Sequence, residues 1–313
     1  MTKLIFVMDD LATIKPTKDS TFALMLAAQA RGMAIFAVYP HDLFLADGRV
    51  QANARCISVT DTTVHCFSED YVELMDVADC DAVFMRCDPP FDFHYLTLTY
   101  LLDLVEAAGT PVINHPQAIR DANEKLFTTW FPDYCPPTLV TSSKIRLQDF
   151  LQQQGTIICK PLNAMGGQGI FKVHVDDPNQ QVIFETVTAN ESVFTLAQSY
   201  LPAVINGDRR LLLIAGELFP RALVRIPQGH DHRANMAAGG RTEVAPLTPW
   251  EQALAEHIGP TLSEMGLNFV GLDVIGDRMT EINVTSPTGL RELARYTEID
   301  VADWVLERLL ASA

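Results

Sequence analysis

Residues 271–283 read Gly-Leu-Asp-Val-Ile-Gly-Asp-Arg-Met-Thr-Glu-Ile-Asn. Two strand-forming runs flank Gly276-Asp277-Arg278, a pattern that predicts a β-hairpin with a three-residue turn. Glu281 and Asn283 are two apart, so on a strand both face one side. With that turn, Asp273 falls across from Glu281 on the same face. Leu272, Val274, Ile282 and Val284 occupy the alternate positions and anchor the opposite face in a core. Three oxygen-bearing side chains then converge, a set suited to Mg²⁺, which keeps some waters and takes phosphate oxygens for the rest. Opposed carboxylates repel across a hairpin, and a cation between them removes the conflict. A solvated strand face is the plainer alternative, and the apolar reverse face counts against it.

Upstream, Thr156 to Pro161 and Ile170 to Val175 predict a second hairpin, with Met165-Gly166-Gly167-Gln168-Gly169 between its strands. Glycines let backbone N–H groups approach phosphate oxygens without Cβ obstruction. Lys160 lies within the apolar strand, where an unpaired ammonium is costly, and a phosphate would supply its counter-charge. A plain hairpin with a snorkelling lysine fits these residues equally well.

Between the two hairpins, Arg225 to Arg241 (RIPQGHDHRANMAAGGR) fits neither helical nor strand period and reads as a loop of about 16 residues. Its arginines suggest closure over an anion, with a plain surface loop as the alternative; His230 and His232 read as solvated. Asp208-Arg209-Arg210 precedes a strand, and the expectation is one residue turned inward and two facing water. Arg210 could reach a phosphate.

The first 120 residues predict an open α/β unit: strands at 3–8, 33–39, 81–86 and 111–114, and helices at 21–31 and 94–108. A helix is expected over 117–131. Ligands of open α/β sheets bind beyond the carboxyl ends of the strands. Arg86 lies at such an end and could hold a substrate carboxylate, or pair with Asp88 or Asp92. The latter two thirds read as mixed α+β with antiparallel hairpins, strands near 194–201, 210–215 and 218–225, and helices at 249–265 and 298–311.

Composition narrows the function. The chain has 313 residues, is 48% apolar and 20% charged, and carries a formal net charge of −16. Such an acidic body lacks the positive track that nucleic-acid binding needs, so an anionic ligand requires its cations gathered in one cleft. The six cysteines show no C-x-x-C spacing and read as free thiols of a cytoplasmic protein. No run of 18 apolar residues predicts a membrane span. There is no G-x-G-x-x-G after the first strand, no P-loop and no G-x-S-x-G elbow.

The segments RCDPPFD (86–92), RDANEKLF (120–127), KPLNAMGGQGIF (160–171), RIPQGHDHRANMAAGGR (225–241) and GLDVIGDRMTEINVTSPTGLREL (271–293) together resemble the prokaryotic glutathione synthetases of the ATP-grasp superfamily, over nearly the whole chain. The resemblance implies an N-terminal α/β domain (1–122) followed by an ATP-grasp fold: a small, lid-like subdomain (123–200) and a C-terminal subdomain (201–313) with the metal site and a mobile loop at 226–241. It implies an ATP-dependent ligase that joins γ-glutamylcysteine to glycine through an acyl-phosphate, with Mg²⁺ or Mn²⁺. A cytoplasmic homotetramer is implied, with no nucleic-acid or membrane partner. By position, Lys125 and Lys160 would contact the adenine side and the α-phosphate. Gly166, Gly167 and Gly169 would cover the outer phosphates, Gln198, Ser199, Tyr200 and Leu201 would hold adenine, and Asp208 the ribose side. Asp273, Glu281 and Asn283 would hold the metal. Arg210 and Arg225 would stabilise the transferring phosphoryl group, and Arg233 would shield the acyl-phosphate from water. Asn283, Ser286, Pro287 and Thr288 would lie where the substrates meet, with Arg86 on the substrate side.

Overall fold

The strand KLIFVM, apolar at nearly every position, forms the centre of the first sheet. The computed structural model describes residues 1–163, 165–227 and 241–313. In it β1 (Lys3–Met8) lies parallel to β2 (Ala34–Val38) on one side and to β6 (Ala82–Arg86) on the other. The meander β3 (Leu43–Ala46), β4 (Arg49–Val59) and β5 (Phe67–Asp76) extends the sheet beyond β2, and β7 (Val112–Ile113) extends it beyond β6. Both faces are covered, as parallel strands require. Ile5 and Val7 pack with Leu98, Leu102 and Val105 of α2 (Phe93–Ala107), while Leu4 and Phe6 pack with Phe22 and Leu24 of α1 (Ser20–Ala30). Asp19 caps α1 by accepting a hydrogen bond from the Phe22 N–H, as N-cap chemistry anticipates.

Two expectations fail in this unit. Residues 40–80 carried no strand assignment, yet β4 and β5 are long antiparallel strands. Much of β5 is exposed, so its apolar side chains do not alternate cleanly between a core and a solvent face. The helix expected over 117–131 is broken: α3 (Pro116–Asp121) stops, and a 3₁₀ turn follows at Leu126–Trp130. Asn123 Oδ1 accepts from the N–H groups of Lys125 and Leu126, and such local side-chain bonds compete with the helix ladder.

The second sheet contains β8 (Thr138–Thr141), β9 (Thr156–Pro161), β10 (Phe171–His174) and β11 (Thr195–Ser199) in the order β10-β9-β11-β8. It packs on α4 (Lys144–Gln154) and α5 (Gln180–Val187) around its own small core of Leu147, Leu151, Ile157, Cys159 and Phe184. The third sheet holds β12 (Asp208–Ile214), β13 (Glu217–Leu218), β14 (Arg221–Ile226), β15 (Arg241–Pro246), β16 (Phe269–Ile275) and β17 (Arg278–Asn283). Its main path runs β15-β14-β12-β16-β17, with β13 paired to β12. The helices α6 (Pro249–Glu264), α7 (Leu290–Ala294) and α8 (Val301–Ala311) cover it, and α8 also packs against α1. Cores run without a break from the first sheet to the third: Val83 and Leu272 belong to one cluster, Phe84 and Leu306 to the other. This is an open α/β domain joined to the two halves of an ATP-grasp fold.

Candidate active site

The hairpin β16–β17 reaches the expected register by a different route. Ile275 pairs with Arg278 across a two-residue turn, Val274 pairs with Met279, and a bulge then brings Asp273 opposite Glu281. The extra residue is Thr280, whose hydroxyl donates to the Asp273 carbonyl at 3.3 Å. Without the bulge Thr280 itself would stand opposite Asp273. Bulges re-aim side chains beside functional sites, and here both Thr280 and Glu281 line one cavity.

Cross-strand pairing assembles the charges of that cavity. On β12, Arg210 is paired in register with Asp273 of β16, and Asp208 with Arg225 of β14. Arg210 donates to Asp273 through Nε and Nη2. Arg225 Nη2 bridges Asp208 at 2.6 Å and Asp273 at 2.9 Å. Arg209, on the opposite face, pairs with the buried Glu251. The expectation that two of the three charges at 208–210 face water is therefore wrong: a central strand leaves none of them free of a partner. Burial alone would push the Asp273 carboxyl up, but Arg210 and Arg225 outweigh it and hold Asp273 well below the usual carboxylate range. Burial pushes Asp208 up to about 6, with Arg225 opposing and Asp273 adding to the rise. Asp208 Oδ1 and Arg225 Nε are buried without a hydrogen-bond partner among the described residues, and each suits a donor or acceptor from a ligand.

The cavity has a volume of about 690 Å³. On its other side β9 and β10 form the expected antiparallel hairpin. Lys160 is buried, and its Nζ lies 3.7 Å from Glu281 Oε1; the strand lysine thus has an acid partner on β17 and does not snorkel into solvent. Gly166 and Gly167 line the cavity with positive φ. Gly169 does not line it: its φ is +66°, and a Cβ there would meet Pro161 Cγ at 3.1 Å, so this glycine shapes the turn. Lys125, Gln198, Ser199, Tyr200 and Leu201 complete this wall, with Ile158 and Lys172. Lys172 Nζ sits 3.8 Å from the Tyr200 ring centroid.

Asp273, Glu281 and Asn283 share one wall. Asn283 Nδ2 donates to the Gly271 carbonyl at 3.0 Å and to Asp273 Oδ2 at 3.3 Å. Two carboxylates and an amide, all offering oxygen, suit a hard cation. Among the described residues no group of three His, Cys, Asp or Glu side chains is placed to hold a metal, so such an ion would need oxygen from a ligand or water. Ser286, Pro287 and Thr288 line the adjoining wall, and Arg210 Nη1 donates to the Thr288 carbonyl at 3.2 Å.

Arg86 stands behind the cavity rather than on its wall. It is buried and outside the cavity wall; its Nε donates to Thr21 Oγ1 at 3.0 Å and its Nη2 to the Pro287 carbonyl at 2.8 Å, over the Phe269 ring. Among the described residues it makes no ion pair with Asp88 or Asp92. It supports the 286–288 wall from behind, because the strand end on which it sits is covered by the third sheet. Arg233, His230 and His232 lie outside the described residues. Sequence reasoning missed Glu124, Asp88, Lys172 and Thr285, all of which line the cavity. No spacing rule singles them out, and only Lys172, a charge within an apolar strand, carried a local signal.

The sequence model for the prokaryotic glutathione synthetase N-terminal domain matches residues 2–120, and that for the ATP-grasp domain of the same enzymes matches residues 124–298. The chain belongs to the prokaryotic glutathione synthetase family. It is 46% identical over 311 residues to the glutathione synthetase of Escherichia coli (strain K12), covering 99% of this chain and 98% of that protein. It is 47% identical over 313 residues to that of Citrobacter rodentium, with 99% of each chain covered. The crystal structure of the D-cycloserine synthetase DcsG superposes with a TM-score of 0.69 at 14% identity, over 98% of this chain and 99% of that one, which speaks to the fold alone. Family membership makes sense of a cavity between the second and third sheets, with Asp88 and Pro89 of the loop after β6 at its wall: it is the ATP-grasp cleft.

Proposed function

We propose that the protein is the ATP-dependent ligase that joins γ-glutamylcysteine to glycine, forming glutathione with release of ADP and phosphate. The observation that carries the reading is the ladder Arg225–Asp208 and Arg210–Asp273, held on three adjacent strands and facing Lys160 and the glycine hairpin across one cavity. A carboxylate is a poor electrophile. Transfer of the γ-phosphoryl group from ATP to the dipeptide carboxylate gives an acyl-phosphate; the glycine amine then attacks the acyl carbon, and phosphate leaves. Charge spreads over the phosphoryl oxygens during transfer, and fixed cations stabilise it. Arg210 and Arg225 supply that charge without rearranging, since Asp273 and Asp208 already orient their guanidiniums. Asp273, Glu281 and Asn283 would hold Mg²⁺ or Mn²⁺; when bound, such an ion neutralises phosphate charge.

In this reading Lys125, Lys160, Gly166 and Gly167 contact the phosphates or the adenine side, residues 198–201 hold adenine, and Asp208 the ribose side. Ser286, Pro287 and Thr288 shape the substrate wall, and Arg233 shields the acyl-phosphate. The corresponding division of the chain is 1–122, 123–200 and 201–313. A cytoplasmic homotetramer completes the proposal. It is supported by the exposed apolar side chains Phe44, Leu45, Tyr71, Val72 and Leu74 on β3 and β5, and light scattering showing a monomer at micromolar concentration would overturn it. Among the described residues no helix is long and apolar enough to cross a membrane.

The deciding experiment follows phosphate release from ATP and Mg²⁺ with γ-glutamylcysteine and glycine supplied separately and together. Release that needs both, matched by glutathione, is the expected result. ATP binding without turnover of this pair would reassign the protein to another acid and amine.

A further inference from the structure

β17 is an edge strand of the third sheet. Edge strands leave every second N–H without a ladder partner, and here those donors belong to Ile282 and Val284. One residue takes both. The Glu124 carbonyl accepts from the Ile282 N–H at 2.8 Å. Glu124 Oε1 accepts from the Val284 N–H at 2.9 Å, the Thr285 N–H at 3.1 Å and Thr285 Oγ1 at 2.8 Å. From the other side, Asn114 Nδ2 donates to the Val284 carbonyl at 2.7 Å. Glu124 therefore stands in for the missing neighbouring strand. It can do so because the chain leaves helical geometry after Asp121, which turns residue 124 toward β17.

Resting on the ligase reading above, we propose that Glu124 is a positioning residue for the reaction. It fixes the main chain of residues 282–285, and through it Asn283 on the metal-facing wall and Ser286 to Thr288 on the substrate wall. Three donors on one carboxylate oxygen are charge-assisted and stronger than neutral bonds. Removing the acceptor leaves donors of the edge unmet and frees the segment. A carbonyl oxygen at the same place still accepts from them, so Gln replaces Glu in this task.

The test compares Glu124→Ala, Glu124→Gln and Thr285→Val with the wild type in the coupled assay. Glu124→Ala is expected to raise the dipeptide KM and the Mg²⁺ concentration for half-maximal rate by about tenfold or more each, the range seen when a supporting partner of a metal ligand is lost. The KM for ATP should stay within about twofold, since the adenine wall lies on the second sheet. Glu124→Gln should recover most of the loss, and Thr285→Val, which removes one of the three donors, should shift the same two constants by a smaller factor. Unchanged dipeptide KM and Mg²⁺ dependence in Glu124→Ala would overturn the proposal. So would a Glu124→Gln enzyme as impaired as Glu124→Ala, which would put the charge itself in the chemistry. If Glu124→Ala does not fold, the other two variants decide: Glu124→Gln must stay near wild type, and Thr285→Val must shift both constants. An inactive wild type would instead refute the ligase reading.

Discussion

Arg225 is buried between two carboxylates. Burial alone would lower its proton affinity, but Asp208 and Asp273 outweigh it and keep the guanidinium firmly charged. In the proposed reaction Arg225→Ala removes one fixed cation from the transferring phosphoryl group, and kcat is expected to fall by about ten- to a thousandfold, the range for losing one such group. The same change leaves two buried carboxylates sharing Arg210 alone, so the melting temperature should fall as well. A near-normal kcat in folded Arg225→Ala would remove Arg225 from the phosphoryl site. Asp208 gives a pH signature. Its carboxyl titrates near 6, above the ordinary value of 3.8, because it is buried. As pH falls through 6 it takes up a proton and its ion pair with Arg225 weakens, so kcat/KM for ATP should drop on that acid limb. Stability should respond in the opposite direction. A carboxyl raised in the fold binds protons more readily there than in the unfolded chain, so this group's contribution improves as pH falls from 7 toward 4. Rate profiles of wild type and Asp208→Asn check the first point, the variant losing that limb; thermal unfolding of the same pair checks the second.

The two hairpins use their irregular residues differently. In β16–β17 the tight turn and the Thr280 bulge together produce the pairing that a three-residue turn would have produced without a bulge. The Asp273–Glu281 contact was legible because side chains alternate along a strand; the bulge was not, because nothing local distinguishes Thr280 from a regular strand residue. In β9–β10 the glycine loop carries positive φ at Gly166, Gly167 and Gly169. Gly169→Ala combines a left-handed backbone with a close approach to Pro161, and should cost about 1–2 kcal/mol, the penalty of an L side chain in that region. Chemical denaturation measures it, and an unchanged midpoint would show that the loop relaxes. The broken helix after Asp121 is the third case. The apolar spacing of 117–131 suited a helix, yet the side chain of Asn123 and the partners waiting on β17 draw the chain out of it.

Two cores run through the first and third sheets, whereas the second sheet has a separate one. The wall that bears the glycine hairpin is thus joined to the rest by fewer buried contacts, which suits a cleft that must admit and release nucleotide. The same burial silences the thiols. Burial pushes Cys80 and Cys159 up to about 12, each in a packed interior, and raises Cys87 and Cys135 as well. Cys56 alone of the six is not buried. A thiol reagent at pH 8 should therefore modify one cysteine quickly in the native protein and all six after unfolding. Rapid native reaction of several thiols would contradict this packing.

By itself the sequence determined the hairpin pair, the oxygen-rich strand face, the lysine and glycines opposite it, and the resemblance that joins them. Each depends on local periodicity or on residue types at fixed spacing, which the chain carries in one dimension. The tertiary structure alone decided that Arg86 braces Pro287 from behind the cavity wall, that all three charges at 208–210 find partners, and that Glu124 closes the edge of β17. Those outcomes depend on which strands become neighbours and which edges stay open, and residues 17 to 201 positions apart in the chain settle them.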